Sequence, residues 1–300
     1  MDGPCGFVVI DKPAGLTSHA CVSRLRRCFG LKRVGHGGTL DPAVTGVLPI
    51  ALGPATRLLP YLPGDKTYTG VIQLGRTTSS DDLEGNVLTT SPWPPLSRMD
   101  LDRALELFRG DIHQRPPQVS AVHVDGRRAH ERARRGEQMD LPPRPVTIHR
   151  LGLMHWDDST GRLRVDVHCS SGTYIRALAR DLGEHLGCGG CLANLRRVQA
   201  LGFSIDQADR LPDWPDAGVM TEPLPTLHPP QDALLHLAQH QATPQQEIDW
   251  SCGRRLQPND GIGRDGDPVV VLNQTQRMLG LGVMDADQLI RPKVVFEARG

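Results

Sequence analysis

The chain has 300 residues, enough for one large domain or a large and a small one, and 38% hydrophobic content supports a real core. Its 34 Lys+Arg balance 34 Asp+Glu, which excludes a chain that is basic throughout and makes nucleic-acid binding a question of where the positive charge sits. Seven scattered cysteines, an odd number, argue against a disulfide scaffold and for reduced thiols in a cytoplasmic protein.

Residues 6–11 (GFVVID) read as a short apolar strand that ends in the turn 12–15. Ser18 is the expected N-cap of a helix carrying Cys21, Val22, Leu25, Cys28 and Phe29 at helical spacing, closed by Gly30. A glycine-rich loop follows. A buried strand is expected over 47–52, a short helix over 55–62 and another strand over 67–74. The polar stretch 77–84 and a Pro-rich loop around Trp93 lead to a helix through Leu101, Ala104, Leu105 and Phe108, stopped by Gly110. Residues 121–124 read as extended, Asp125-Gly126 as a turn, and 129–135 as an arginine-rich helix. Strands are expected over 146–156 and 163–169. In the second, Leu163, Val165, Val167 and Cys169 alternate with polar residues, the mark of a sheet with one wet face. An amphipathic helix covers 174–186. The Pro- and Asp-rich stretch 211–230 reads as a linker, and 268–272, 278–284 and 292–297 as a compact all-β tail. No signal-peptide pattern or apolar run of roughly 20 residues is seen, so a cytoplasmic protein without a membrane segment is expected. The mixture points to α+β: a mixed, mostly antiparallel sheet flanked by helices.

Three basic clusters stand out: Arg24 to Arg33, Arg127 to Arg135, and Arg196-Arg197. Any one of them alone reads as a solvated face. Three in a neutral chain supply the polarity that a phosphate-binding surface needs. Cys188-Gly-Gly-Cys191 has metal-ligand spacing but no second Cys or His pair beside it, so no metal site is expected. The most informative segment is Gly35-His36-Gly37-Gly38-Thr39-Leu40-Asp41-Pro42. Its glycines let backbone or ligand approach closely, and Pro42 biases Asp41 toward an extended turn. A carboxylate presented this way can serve as nucleophile, base or metal ligand, or simply bond its own backbone as turn aspartates do.

Val9-Ile10-Asp11-Lys12-Pro13, this loop with Thr45-Gly46-Val47-Leu48-Pro49, Lys66-Thr67-Tyr68, Ser171-Gly172-Thr173-Tyr174-Ile175-Arg176 and Leu195-Arg196-Arg197 resemble, in order and spacing, the motifs of the TruB-type tRNA pseudouridine-55 synthases of the bacterial stand-alone form. The runs Arg109-Gly110-Asp111-Ile112 and Gln114-Arg115-Pro116-Pro117 through Ser120-Ala121 look similar too. The resemblance covers the first two thirds of the chain, and the tail is similar in style to a small PUA-like RNA-binding domain.

The resemblance implies a pseudouridine synthase fold over 1–228, an RNA-binding insertion around 110–145, and a PUA-like domain over 229–300. It implies isomerisation of a tRNA T-arm uridine, which requires no cofactor, by a stand-alone enzyme with no obligate protein partner; no metal is expected, and nothing in the sequence suggests an obligate dimer, so a monomer is expected. Asp41 would be the catalytic carboxylate, kept ionised by Arg176 in a dry pocket. Tyr68 would stack on the target base, Leu195 would wall the pocket, His36 would fill the gap left by the flipped base, and Lys12 would shape the floor. Arg132, Arg134 and Arg135 would grip RNA, as would Arg196 and Arg197. Two departures from the family pattern are the stretch Thr77 to Asp82 and His130, where a tyrosine is common. Competing readings are a non-catalytic RNA binder, the guide-RNA-dependent branch of the family, and a nucleoside hydrolase.

Overall fold

The computed structural model describes residues 3–298 apart from 121–122, 125–126, 129–136, 138, 213–222 and 259–260. The expected turn at Asp125-Gly126, the arginine-rich helix with His130, Arg132, Arg134 and Arg135, and much of the linker lie outside the described residues.

In chain order the elements are β1 (Gly6–Lys12), α1 (Ser18–Cys28), β2 (Val34–His36), β3 (Thr45–Leu52), a 3-10 stretch Gly53–Tyr61, β4 (Lys66–Leu74), β5 (Arg76–Thr78), β6 (Val87–Thr90), α2 (Arg98–Glu106), β7 (Gly110–Gln114), β8 (His123–Val124), β9 (Arg127–Arg128), β10 (Arg144–Asp157), β11 (Arg162–Cys169) and α3 (Ile175–His185). They continue with β12 (Gly190–Ala200), β13 (Phe203–Ser204), β14 (Asp209–Arg210), β15 (Ala238–Gln241), α4 (Pro244–Ser251), β16 (Pro268–Leu272), β17 (Met278–Met284) and β18 (Ile290–Val295). Among the described residues no helix is long and apolar enough to cross a membrane.

The chain forms two compact units. The first comprises Met1–Pro42, Val47–Pro63 and Ala200–Gly300; the second comprises Ala43–Gly46 and Gly64–Gln199. In the first unit β1 lies between β14 and β3, parallel to β14, and β2 runs antiparallel to β3. Strands β15 to β18 form a separate sheet in that order. Its two faces are both covered, which explains the unbroken apolar run of β16. Val270, Leu272, Leu281 and Val294 join a core with Phe7, Val9, Val47, Ala51, Leu58 and Phe203. Val269, Val271, Leu279 and Ile290 close instead around Trp250 of α4. The tail therefore shares a core with residues from the first third of the chain. It is also not all-β as expected, because α4 is there. Thr243 caps it through a reciprocal box with Gln246, and Pro244 occupies its first turn.

In the second unit β12, β4, β11, β10 and β7 are neighbours in that order, and β4 to β7 are joined antiparallel. Helix α2 packs on β10 and α3 on β4. The alternation read in β11 is present: Leu163, Val165, Val167 and Cys169 are buried while the residues between them face outward. On the other side of β12, Thr45 and Gly46 of β3 pair in parallel with Arg196 and Arg197. Gly46 has φ of +104°, and a Cβ there would penetrate the Arg197 carbonyl. Only glycine fits both constraints. Gly46→Ala is expected to lower the unfolding free energy by about 2–4 kcal/mol, read as a lower urea midpoint; an unchanged midpoint would refute this account of the β3–β12 junction.

Candidate active site

One group of the sequence-derived site residues lies in the first unit, around Asp41. The peptide groups on both sides of this residue are held. On the N-terminal side, Ser18 Oγ accepts from Leu40 N at 2.8 Å and donates to Leu40 O at 3.1 Å. Ser18 was expected to cap α1, but Thr17 does that, accepting from Ala20 N at 3.0 Å. Ser18 is instead a buried first-turn residue with its hydroxyl turned to the loop. On the C-terminal side, Pro42 O accepts from Lys12 Nζ at 3.0 Å and from Gly15 N at 2.9 Å. Lys12 has no exposed surface and also donates to Leu16 O at 2.7 Å and Pro13 O at 2.9 Å. An ammonium has three protons and here meets three carbonyls, which makes its burial tolerable. Asp41 itself is half-buried, and it is the next-to-last residue of the unit's first segment.

His36 ends β2 opposite Ile50, and the loop leaves the strand through Gly37, whose N–H donates to Pro49 O at 3.0 Å. Gly37 is buried, and a Cβ on it would run into Cδ1 of Leu201. Leu201 is itself unusual. With Gly202 it turns β12 into β13 at φ of +57° and +84°, a left-handed pair that normally excludes a bulky side chain. Its side chain is buried in the core of the first unit and occupies the space that Gly37 leaves.

The second group lies in the second unit. Tyr68 is on β4 opposite Val167 and is only 7% exposed. Its phenol hydrogen-bonds the guanidinium of Arg197, which has no exposed surface. Burial pulls the Arg197 guanidinium below its ordinary value, and the Tyr68 oxygen opposes that shift. Arg197, expected among the RNA-gripping arginines, points inward from β12 to the Tyr68 phenol, while its neighbour Arg196, on the opposite face, is half-buried and donates to Thr45 Oγ1 at 3.3 Å. Leu195 is buried beside Gly70, two residues from Tyr68 on the same face of β4; a Cβ at Gly70 would come within 3.1 Å of Leu195 Cδ1.

Arg176 is in the first turn of α3 and is 6% exposed. It donates from Nη1 to Ser80 O and from Nη2 to Val119 O, each at 2.9 Å, and its Nε lies 3.6 Å from Asp82 Oδ2. One turn later Arg180 donates to Asp81 Oδ2 at 2.9 Å and to Arg115 O at 2.8 Å. Burial raises the Asp81 carboxyl above its ordinary range, and Arg180 works against that rise. Asp81 sits at φ of +61°. The polar stretch that departs from the family pattern is therefore a turn tied to α3 by two arginines four residues apart. Sequence reading missed Asp81, Asp82 and Arg180, although tandem aspartates and i, i+4 arginines were visible as types.

A model of the TruB family pseudouridylate synthase (N terminal domain) matches residues 26–175. A protein of Parasynechococcus marenigrum (strain WH8102) named tRNA pseudouridine synthase B is 68% identical over 300 residues, covering 100% of both chains. One of the same name from Prochlorococcus marinus (strain MIT 9313) is 54% identical over 322 residues, again with 100% of both covered. Among solved structures, a Cbf5-Nop10-Gar1 complex contains a chain similar in fold, with a TM-score of 0.72 at 24% identity over 98% of this chain and 85% of that one.

Proposed function

Since the chain belongs to the TruB family of pseudouridylate synthases, we propose that it isomerises uridine 55 in the T-arm loop of tRNA to pseudouridine with Asp41 as the acting carboxylate. In this reaction the C1′–N1 bond breaks, the uracil turns, and C5 bonds to C1′. The proton on C5 leaves and N1 takes one up, so substrate and product are isomers and neither redox step nor hydrolysis is required. Asp41 serves by attacking C1′ or C6, or by deprotonating C2′. The observation that supports this reading best is the double restraint on the Asp41 backbone, by Ser18 at Leu40 and by Lys12 and Gly15 at Pro42. A carboxylate meant for covalent or proton-transfer chemistry gains from such positioning. A pure RNA binder has no use for it, since the charge opposes phosphate.

In this proposal Tyr68 stacks on the base, held by Arg197, and Leu195 walls the base in. His36 takes the space vacated in the RNA, and Lys12 acts on position rather than chemistry. The pairing of Arg176 with Asp41 belongs to the same proposal; non-additive losses in the D41E/R176K double-mutant cycle would support it. Residues 1–228 supply the synthase, and 229–300 act as a PUA-like RNA-binding part even though their core is shared. The chain works as a monomer in the cytoplasm.

The direct test is incubation of the purified chain with a T-arm transcript carrying tritium at C5 of uridine. Release of one tritium per transcript, with pseudouridine mapped at the T-loop position, is the expected result; no release would end the proposal. Extrusion of the base costs a few kcal/mol, which phosphate contacts must offset. Neutralising Arg132, Arg134 and Arg135 together is expected to weaken tRNA binding and to lower the slope of log K against log salt by about 2–3. An unchanged slope would remove these residues from the RNA interface.

A further inference from the structure

Three neighbouring strands of the second unit bring together side chains that are far apart in sequence. Asp65 immediately precedes β4, His168 is on β11 opposite Thr67, and His149 is on β10. The β10–β11 register slips between Ile148 and Arg150, so His149 is the extra residue of a β-bulge, and two successive side chains, His149 and Arg150, face outward there. Bulges re-aim side chains, and this one turns an imidazole toward its neighbour. The two histidine rings lie 4.9 Å apart between centroids and are tilted by 49°. Both Nε2 atoms address the same carboxylate oxygen, Asp65 Oδ2, at 3.3 Å from His149 and 3.8 Å from His168. One ligand atom from each residue lies within 4.8 Å of the others.

We propose that Asp65, His149 and His168 form a surface site for a borderline divalent transition cation of the zinc type. Two imidazoles and a carboxylate are a donor set that suits zinc and its neighbours rather than magnesium or calcium. Metal–ligand bonds of about 2.0–2.1 Å in tetrahedral geometry put ligand atoms roughly 3.4 Å apart. The observed separations from Asp65 Oδ2 bracket that value and all three ligand atoms lie within 4.8 Å of one another, so closure needs rotations of the exposed Asp65 and His149 and the half-buried His168 side chains. Charge argues the same way. Two protonated imidazoles in contact repel each other, whereas a single cation among three electron-pair donors satisfies them all. Lys66, next to Asp65 in sequence, donates to Gly64 O at 2.7 Å. Cys169, next to His168, is buried on the other face of β11 and is not a ligand. With three protein ligands the fourth position is open to water or an anionic oxygen. This site stands apart from the pseudouridine reading and does not depend on it.

The test uses the full-length protein, stripped with chelator and titrated with Co2+ alone. Binding of one Co2+ per chain with the intense visible bands of a tetrahedral site, displaced by Zn2+, is expected. H149Q and D65N should each weaken binding by about tenfold or more, while H185Q, away from the cluster, should leave it unchanged. Asp65, His149 and His185 are all exposed, and circular dichroism melting checks that each variant is folded. Binding that H149Q and D65N leave intact, or the absence of saturable binding, would overturn the proposal and leave the cluster as histidine–aspartate hydrogen bonds only.

Discussion

Replacing Asp41 by Asn is expected to reduce pseudouridine formation by about four orders of magnitude or more while leaving tRNA affinity within a few-fold of the starting value. Asn keeps the volume and one acceptor oxygen but can neither attack carbon nor take up a proton at neutral pH. The bonds that hold the peptide groups of Leu40 and Pro42 do not involve the Asp41 carboxylate and remain in the variant. Binding is preserved, or even tightened slightly, since one negative charge is removed from a surface that meets phosphates. Tritium release from C5 measures the chemistry and filter binding measures the affinity. Substantial activity in this variant would remove Asp41 as the essential group, whatever the fate of the rest of the scheme.

Lys12→Met has the second-largest expected effect, and it acts through position. Methionine fills much of the same space but donates nothing, leaving Pro13 O and Leu16 O without the ammonium and Pro42 O with Gly15 N. Pro13 is exposed and Leu16 half-buried, so both carbonyls can turn to water and a loss of about 1–2 kcal/mol in stability is expected. The Asp41 loop also loses one of the two bonds that hold Pro42 O. A displacement of about 1 Å costs on the order of 100-fold in rate, so kcat should fall more than KM rises. A variant with unchanged melting and unchanged kcat would show that the ammonium is not the anchor.

The parts of this molecule that were legible in sequence are those set by local periodicity. β11 was readable because burial alternates along it, and α3 because its apolar residues recur on one face. The run of β16 was readable as a strand, but nothing local shows that both its faces are covered, since one partner is Phe7 at the other end of the chain. β12 escaped notice because Arg196 and Arg197 interrupt its apolar pattern and resemble a solvated cluster. The second of these arginines is buried and meets a tyrosine from β4, a partner far away in sequence. Ser18 misled by one position: Thr17 and Ser18 are both good caps, and the choice is made by Leu40, which claims the Ser18 hydroxyl. The fold class and the Asp41 loop were therefore within reach. The restraints around that loop, and the Asp65, His149 and His168 cluster, depend on partners tens of residues apart that no spacing rule connects.

Leu201 and Gly37 carry a consequence for anyone redesigning this protein. A leucine in a left-handed turn position costs on the order of 1 kcal/mol, and asparagine or glycine would relieve it. Yet either would leave a hole directly beneath the Asp41 loop, a loss of about 2–4 kcal/mol. The two positions, more than a hundred and fifty residues apart, therefore behave as one lock and key. A combinatorial library confined to the loop can place a side chain at 37 only where Leu201 turns its end away, whereas one that trims 201 at the same time should recover alanine or serine there more readily.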